Sequence, residues 1–231
     1  MVGTTVHRRL TGCGLLVCTV LSLTSCTAAS GGGGTGIQDL GLKAGARPSS
    51  PALTVTGSGG AALSSGDLKG YTVTTPAADE THTQQDVRVP EAACASVSYA
   101  FAGTVVGEPS AASVRQAARA GGVHTVTVAL ASYEVPAAET VLETLSASVD
   151  SCADGYALTV AGRQWRVTGL ARQIAPPGTD QALAFGARIE RDGDGVPVNV
   201  VVLRQGGAVV YLSATGSVPP EVVQAQLHKL P

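Results

Sequence analysis

The stretch VHTVTVALASYEVPAAETVLETLSASVDSC, residues 123–152, decides the fold. Its first third alternates in polarity, with Val126, Val128 and Leu130 on one side, and this period of two is that of a half-buried β-strand. Pro136 then opens a segment with the period of a helix. The apolar stripe of this segment consists of Ala138, Val141, Leu142, Leu145 and Val149, and one further step of three reaches Cys152. A strand followed directly by an amphipathic helix predicts a sheet with helices packed on it.

Short runs with strand character follow Cys152, and glycine-rich turns separate them. Ala161-Gly162, the DGDG at 192–195 and Gly206-Gly207 are hairpin signals. They predict strands over 156–160, 163–174, 181–191, 196–205 and 208–215. Between residues 196 and 203 both parities are apolar, which predicts a central strand covered on both faces.

Three more elements complete the predicted fold. A strand is expected over 68–75, a helix that starts at Pro90 and ends at Gly103, and a last helix over 221–230 after Pro219-Pro220. The predicted fold class is α+β, an antiparallel β-sheet meander with two or three packed helices.

The first 25 residues have the organisation of a signal peptide. Arg8 and Arg9 form a basic region, and residues 10–23 form an apolar run of about 14 residues. A membrane-spanning helix needs roughly 20 consecutive apolar residues, so the run is too short for one.

The tetrapeptide Leu23-Thr24-Ser25-Cys26 resembles the lipobox of bacterial lipoproteins. The resemblance implies cleavage before Cys26, a diacylglyceryl thioether on its sulfur and attachment to the outer face of the cytoplasmic membrane. An ordinary secretory signal with cleavage nearby is the alternative.

A Gly/Ser/Pro-rich segment without sustained apolar period follows Cys26, with GGGG, RPSSP and GSGG among its sequences. Such a composition predicts a disordered tether. Its r.m.s. reach would be about 35 Å for about 39 residues. The predicted organisation is a signal peptide over 1–25, a lipid-anchored linker over 26–66 and one globular domain over 67–231.

The chain has five cysteines. Cys13 and Cys18 leave with the signal peptide and Cys26 carries the lipid, so Cys94 and Cys152 remain. An even pair in an oxidising compartment predicts a disulfide. Both residues fall on the apolar stripes of predicted helices, which places them where a bond could join the two helices. A zinc site is the weaker alternative, because two isolated cysteines lack the paired spacing of such sites.

Charge argues against a nucleic-acid partner. The chain has 15 basic and 17 acidic residues, and two of the basic residues, Arg8 and Arg9, lie in the signal peptide. The mature protein is therefore mildly acidic, whereas nucleic-acid binding requires a basic surface.

Few residues of the sequence suggest a catalytic or metal-binding site. Asp192 and Asp194 resemble the start of a calcium loop, but Val196 and Pro197 stand where a ligand and a glycine are needed, so a hairpin turn is the expected structure. The sequence has no HExxH and no GxSxG motif. We therefore predict no catalytic residues, no metal site and no cofactor.

Four arginines are the candidate ligand-binding residues. They share the strand parity opposite to that of Trp165, Val167, Phe185 and Ile189, so they would lie together on one sheet face and could hold an anion. They are Arg166, Arg172, Arg188 and Arg204. A solvated face with Glu190 as a partner is the simpler interpretation.

The segment CASVSYAFAG at 94–103, the stretch 123–152 and the closing meander resemble the extracellular sensor domain of PknH-type mycobacterial receptor kinases and related actinobacterial lipoproteins. The resemblance implies an α+β domain with a cleft beside the sheet and a role in binding an unidentified ligand. It carries over no binding residues. The first functional hypothesis is a non-catalytic, lipid-anchored binding or sensor-like domain; a carrier of lipid or another apolar ligand is the second, and an envelope enzyme is the third.

Overall fold

The computed structural model describes residues 60–122 and 125–230. The predicted signal peptide, Cys26 and the linker as far as residue 59 lie outside the described residues. In the described part, nine strands form one antiparallel sheet in the order β1-β3-β4-β9-β8-β7-β6-β5-β2. The strands are β1 Tyr71–Thr74, β2 Val87–Arg88, β3 Ala111–Arg119, β4 Thr125–Ser132, β5 Tyr156–Val160, β6 Arg163–Gln173, β7 Gln181–Arg191, β8 Asp194–Gln205 and β9 Ala208–Thr215.

Within the described ranges, three α-helices with defined bounds accompany the sheet: α1 Ala95–Phe101, α2 Val135–Ser151 and α3 Pro220–Leu227. Residues 60 and 61 are also helical. Short 3-10 turns cover Ala78–Glu80, Gln84–Asp86 and Ala92–Cys94. The predicted α+β class is confirmed. Strands β5 to β9 form the predicted meander, and β9 then pairs with β4, so the N-terminal strands extend the same sheet.

The sheet has two apolar faces. The first face is covered by α1 and α2, whose residues pack against Phe185, Val200 and Val202. The second face is covered in part by α3, which packs on Leu203 and Leu212. Strand β8 contributes to both clusters, as the apolar residues at both parities predicted.

The stretch 123–152 forms the predicted elements, apart from residues 123 and 124, which are not described. Strand β4 places Val126, Val128 and Leu130 on the second face. All five predicted stripe residues of α2 are buried. The apolar face of the strand and the apolar stripe of the helix are thus buried, as their sequence periods predicted.

Strand β3 lies between β1 and β4 and was not predicted. Its sequence, AASVRQAAR, buries only Ala111 and Ala117. Alanine contributes little to an apolar period, and neighbouring strands determine the pairing instead.

The domain begins earlier than residue 67. Ala61, Ala62 and Leu63 are only 5%, 4% and 1% exposed and belong to the apolar cluster of the second face. The Gln226 side-chain amide of α3 donates a hydrogen bond to the Ala61 carbonyl at 2.8 Å. The linker boundary at residue 66 was therefore wrong. Three consecutive apolar residues are too few to show the period of a helix or a strand in the sequence.

None of the helices in the described ranges is long and apolar enough to cross a membrane.

Candidate functional site

The four candidate arginines do not form one cluster. Arg172 is the cross-strand neighbour of Phe185, and Arg204 is the neighbour of Gln181. Directly opposed residues of an antiparallel pair share a face, so both arginines lie on the first face, with the helices. Arg166 and Arg188 lie on the second face. The prediction that all four share one face was wrong.

A β-bulge explains the error on β6. The register between β6 and β7 shifts between Thr168 and Ala171, where Gly169 has a φ of 60°. One extra residue reverses the parity of everything after it. Arg172 therefore points to the face opposite to that of Arg166.

Arg172 fastens the end of β6 to α2. Its guanidinium donates to both carboxylate oxygens of Asp150 at 2.7 Å and to the Ser146 carbonyl at 2.9 Å. The hydrogen bond from Arg172 lowers the pKa of the Asp150 carboxyl. The hydrogen bonds of the Arg172 guanidinium thus go to groups of the domain itself.

Arg204 is only 7% exposed. Its Nε donates to Gln181 Oε1 at 2.8 Å, and Nη1 donates to the Gly206 carbonyl at 3.0 Å. The carboxylates of Glu139 and Asp180 lie 3.5 and 3.6 Å away. A buried and fully paired guanidinium joins α2 to the ends of β7 and β8, which is a structural role.

Arg166 and Arg188 are exposed on the second face. Arg188 Nε lies 3.4 Å from Glu190 Oε1, and Arg166 is the cross-strand neighbour of Glu190. The carboxylate between them matches the solvated, Glu190-paired face that was the simpler prediction.

Cys94 and Cys152 are joined by a disulfide, with Cα atoms 5.8 Å apart. Cys94 ends the 3-10 turn before α1 and Cys152 follows the last residue of α2. Ser148 adds to this junction, since its hydroxyl donates to the Ala93 carbonyl at 2.6 Å and accepts from the Val97 amide at 3.3 Å. The start of α1 is therefore held on the last turns of α2.

A groove opens on the first face where α1 ends and leaves the sheet uncovered. It measures about 360 Å³. Its floor is made by the apolar residues Leu158, Val160, Trp165, Ile189, Val196 and Val198, and Phe101 closes one side. We call this the Trp165 groove. Val196 is 46% exposed, so apolar surface is open to solvent here.

Cross-strand pairing determines this floor. Leu158 is opposite Trp165, and Ile189 is opposite Val196 and Val167. The side chains form two adjacent rows across the strands, as the alternation of each strand requires. Phe101 is held at the edge by an edge-to-face contact with the fully buried Phe185, with ring centroids 5.3 Å apart.

Polar and charged side chains accompany the apolar floor of the groove. The Arg191 guanidinium carbon lies 5.0 Å from the centre of the Trp165 ring, within cation–π range. Glu80 and the partly buried His82 line the groove itself. Glu80 accepts a hydrogen bond from the Ala77 amide at 3.0 Å, which closes the turn that carries it. The groove can hold an apolar body and offer polar contacts from Glu80 and His82.

Three buried tyrosines lie under α1 and α2, outside the groove lining. Tyr133 donates to the Val106 carbonyl at 2.6 Å, and its hydroxyl is 3.4 Å from that of Tyr211. Burial raises the pKa of Tyr133 and that of Tyr156 to about 12, and it raises the pKa of Tyr211 well above its ordinary value. All three phenols are thus neutral at physiological pH and serve as internal hydrogen-bonding groups.

The sequence did not predict the Trp165 groove. Trp165 was assigned to the apolar face, where it lies, but its partial exposure depends on where α1 ends. One signal was available: Trp165 is the chain's one tryptophan, in a protein with 3% aromatic residues.

No protein-family model matches the chain, and no curated protein matches it by sequence. Among solved structures, the chain is similar to the extracellular domain of PknH from Mycobacterium tuberculosis. The TM-score is 0.55 at 16% identity, over 78% of this chain and 95% of that one. The predicted loose resemblance is confirmed at the level of the fold.

Proposed function

We propose that this protein is a lipid-anchored, extracytoplasmic binding or sensor-like domain that holds its ligand in the Trp165 groove and does not catalyse a reaction. The observation that carries the proposal is the groove itself. It combines an apolar floor with the polar side chains of Glu80 and His82 and is open to solvent at the exposed Val196. Concave apolar surface with a few polar groups is the usual form of a ligand site.

The location part of the proposal is supported by sequence. The basic region, the short apolar run and Leu23-Thr24-Ser25-Cys26 together form the lipoprotein signal pattern. The fold likeness to an extracellular domain agrees with a position outside the cytoplasmic membrane. The disulfide between Cys94 and Cys152 also fits an oxidising compartment.

The openness of the groove favours a sensor-like domain over a carrier. A carrier of an apolar ligand gains most from an enclosed cavity that removes the ligand from water. In the described ranges, the space beneath α1 and α2 is filled by residues such as Val97, Leu145 and Phe185, each fully buried. The carrier remains the alternative function, and a ligand that becomes inaccessible to solvent on binding would favour it.

Retention of a ligand during purification tests the binding function. The domain is purified from its host and analysed by native mass spectrometry. Val196→Asp places a charge on the apolar floor, and Ile174→Asp places one on another exposed apolar residue outside the groove lining. We expect the wild type and Ile174→Asp to retain a ligand and Val196→Asp to lose it. Equal retention by the two variants, or an empty wild type, would count against the groove as the binding site.

Fluorescence gives an independent measurement of the same event. Trp165 is the chain's one tryptophan, so its emission comes from the groove alone. Adding back the retained compound should change this emission in the wild type and not in Val196→Asp.

The anchor is tested in cells. We expect a fatty-acid analogue to label the wild-type protein and not Cys26→Ala. Labelling of both proteins to the same extent would refute attachment through Cys26 without affecting the groove.

A further inference from the structure

A second groove lies on the opposite face of the sheet, between α3 and strands β6, β7 and β8. Its volume is about 470 Å³. We call it the α3 groove, and its apolar lining includes Ile174, Pro176, Pro177, Val201, Val218 and Val223. None of the described residues that line it is charged. Apolar surface without charge is suited to a partner surface that is itself uncharged.

Ile174 projects from the edge of this groove. Its exposed fraction is 98%, about twice that of Val196 in the Trp165 groove. An isoleucine side chain in water gives up the free energy that its burial would release, and so does an apolar groove that stays in water. One patch of the second face therefore carries both an apolar projection and an apolar recess.

The loop that carries Ile174 is held in place. The Asp180 amide at its far end donates a hydrogen bond to the Arg204 carbonyl at 3.1 Å. Between these two points lie Pro176 and Pro177, whose rings fix φ. A loop that is already rigid loses little conformational entropy when a partner buries its side chain.

The walls of the α3 groove are also cross-linked. Gln173 Nε2 donates to Asn199 Oδ1, and Asn199 Nδ2 donates to the Gly216 carbonyl. Gly186 lies beneath this pair of amides, and a Cβ atom at that position would collide with both. These hydrogen bonds connect the end of β6, strand β8 and the loop that precedes α3. The recess is therefore formed before a partner arrives.

We propose that the α3 groove is the contact surface between two copies of this chain, and that each copy inserts Ile174 into the groove of the other. In a dimer with a two-fold axis each patch meets its own equivalent, so a projection has to lie beside a matching recess on the same surface. Ile174 and the α3 groove meet this requirement. Because the described lining is uncharged, the contact brings no like charges of the lining together.

The size of the patch predicts a weak and reversible dimer. Thirteen described residues line the groove, whereas a stable interface uses about 20–30 residues on each side. Covalent trapping is therefore the suitable means of detection. The contact lies on the second face of the sheet, so it leaves the Trp165 groove of each copy uncovered.

Cross-linking in cells tests the contact. Two differently tagged copies of the full-length chain are expressed together, one with Ile174→Cys and the other with Ser217→Cys, which lies in the groove lining. Both positions are exposed, so the variants should fold. A short bis-maleimide should then give a dimer that carries both tags. Replacing the first variant by Val196→Cys, at an exposed apolar position of the first face, should give only the background of two unsubstituted copies.

A third substitution tests the two-fold symmetry. Ile174→Asp is added to the copy that carries Ser217→Cys. In a two-fold dimer this copy receives one isoleucine and donates its own, so the substitution removes the second contact. The yield of cross-linked dimer should fall at least about 10-fold, since burial of one isoleucine side chain contributes at least that factor to an association constant. Adding Val196→Asp instead should leave the yield unchanged.

Other results would overturn the proposal. Background yield from Ile174→Cys with Ser217→Cys means that two copies do not meet at this groove, and that another segment or another protein covers it or that it stays open. An equal yield with Val196→Cys means that the copies collide without a specific contact. A yield that Ile174→Asp does not lower means a head-to-tail contact in place of a two-fold dimer. None of these results bears on ligand binding in the Trp165 groove.

Discussion

Replacing Arg204 by Met tests whether this arginine binds a ligand or stabilises the fold. The sequence grouped Arg204 with Arg166, whereas the structure buries Arg204 and leaves Arg166 exposed. Met preserves much of the apolar volume of the arginine stem and removes the guanidinium. The change in the free energy of unfolding then reports mainly on the hydrogen bonds and ion pairs of the guanidinium.

Its magnitude follows from four contacts. The hydrogen bonds to Gln181 Oε1 at 2.8 Å and to the Gly206 carbonyl at 3.0 Å come from a charged donor, and each contributes about 1–2 kcal/mol net. The carboxylates of Glu139 and Asp180 are 48% and 28% exposed, so these two ion pairs together add no more than about 1 kcal/mol. We expect a total loss of about 2–5 kcal/mol, or roughly 4–20 °C in Tm.

Urea denaturation of Arg204→Met and Arg166→Met, side by side with the wild type, measures this difference. Arg166→Met should stay within about 0.5 kcal/mol of the wild type, as exposed substitutions usually do. Both variants should retain the ligand. The reasoning is refuted if Arg204→Met is as stable as the wild type, or if it loses the ligand while its stability is intact.

Two further predictions concern the cross-links of the domain. Replacing Cys94 and Cys152 together by Ala should lower the free energy of unfolding by up to about 4 kcal/mol, because the disulfide spans 58 residues and restricts the unfolded chain; thiol labelling of the unfolded, unreduced wild-type chain should leave both cysteines unmodified, and labelling of either would refute the bond. Hydrogen bonds from Lys229 and Ser64 lower the pKa of Asp67 to about 2. This depressed pKa adds stability above about pH 4 that is lost as the pH falls towards 2. Because the carboxylate is 26% exposed, the effect is at most about 1 kcal/mol; denaturation at pH 5, 3 and 2 should show a smaller decline for Asp67→Asn, and parallel declines would contradict the assignment.

The local sequence pattern was sufficient to predict those elements that bury a single face. The stripe of α2 and the alternation of β4 both appear in residues 123–152, and burial in the sheet follows from the same periods. The hairpin turns were equally clear. Ala161 and Gly162 have φ values of 47° and 78°, and Asp192 and Gly193 have values of 54° and 92°. Positive φ favours residues such as Gly162, Asp192 and Gly193, so the turns could be placed without knowledge of the tertiary structure.

The candidate site could not be predicted in the same way. Strand parity placed Arg172 on the wrong face because a bulge at Gly169 shifts the register. A single glycine in a strand is not sufficient to predict such a shift. Trp165 was placed on the correct face, but its accessibility depends on the distance that α1 extends across the sheet. Ala61, Ala62 and Leu63 were assigned to the linker because their burial depends on α3, more than 150 residues away along the chain.

Residue types and their periods determine what depends on neighbours along the chain, above all the identity of most strands and helices. Such features are local, since hydrogen bonding and the burial of one face follow from consecutive residues. Tertiary structure decides which side chains remain exposed after distant elements have packed. It buries Arg204, leaves Trp165 open beside α1 and forms the uncharged groove beside α3. Exposure is the result of long-range packing, and for this reason the candidate ligand groove became visible only in the folded chain.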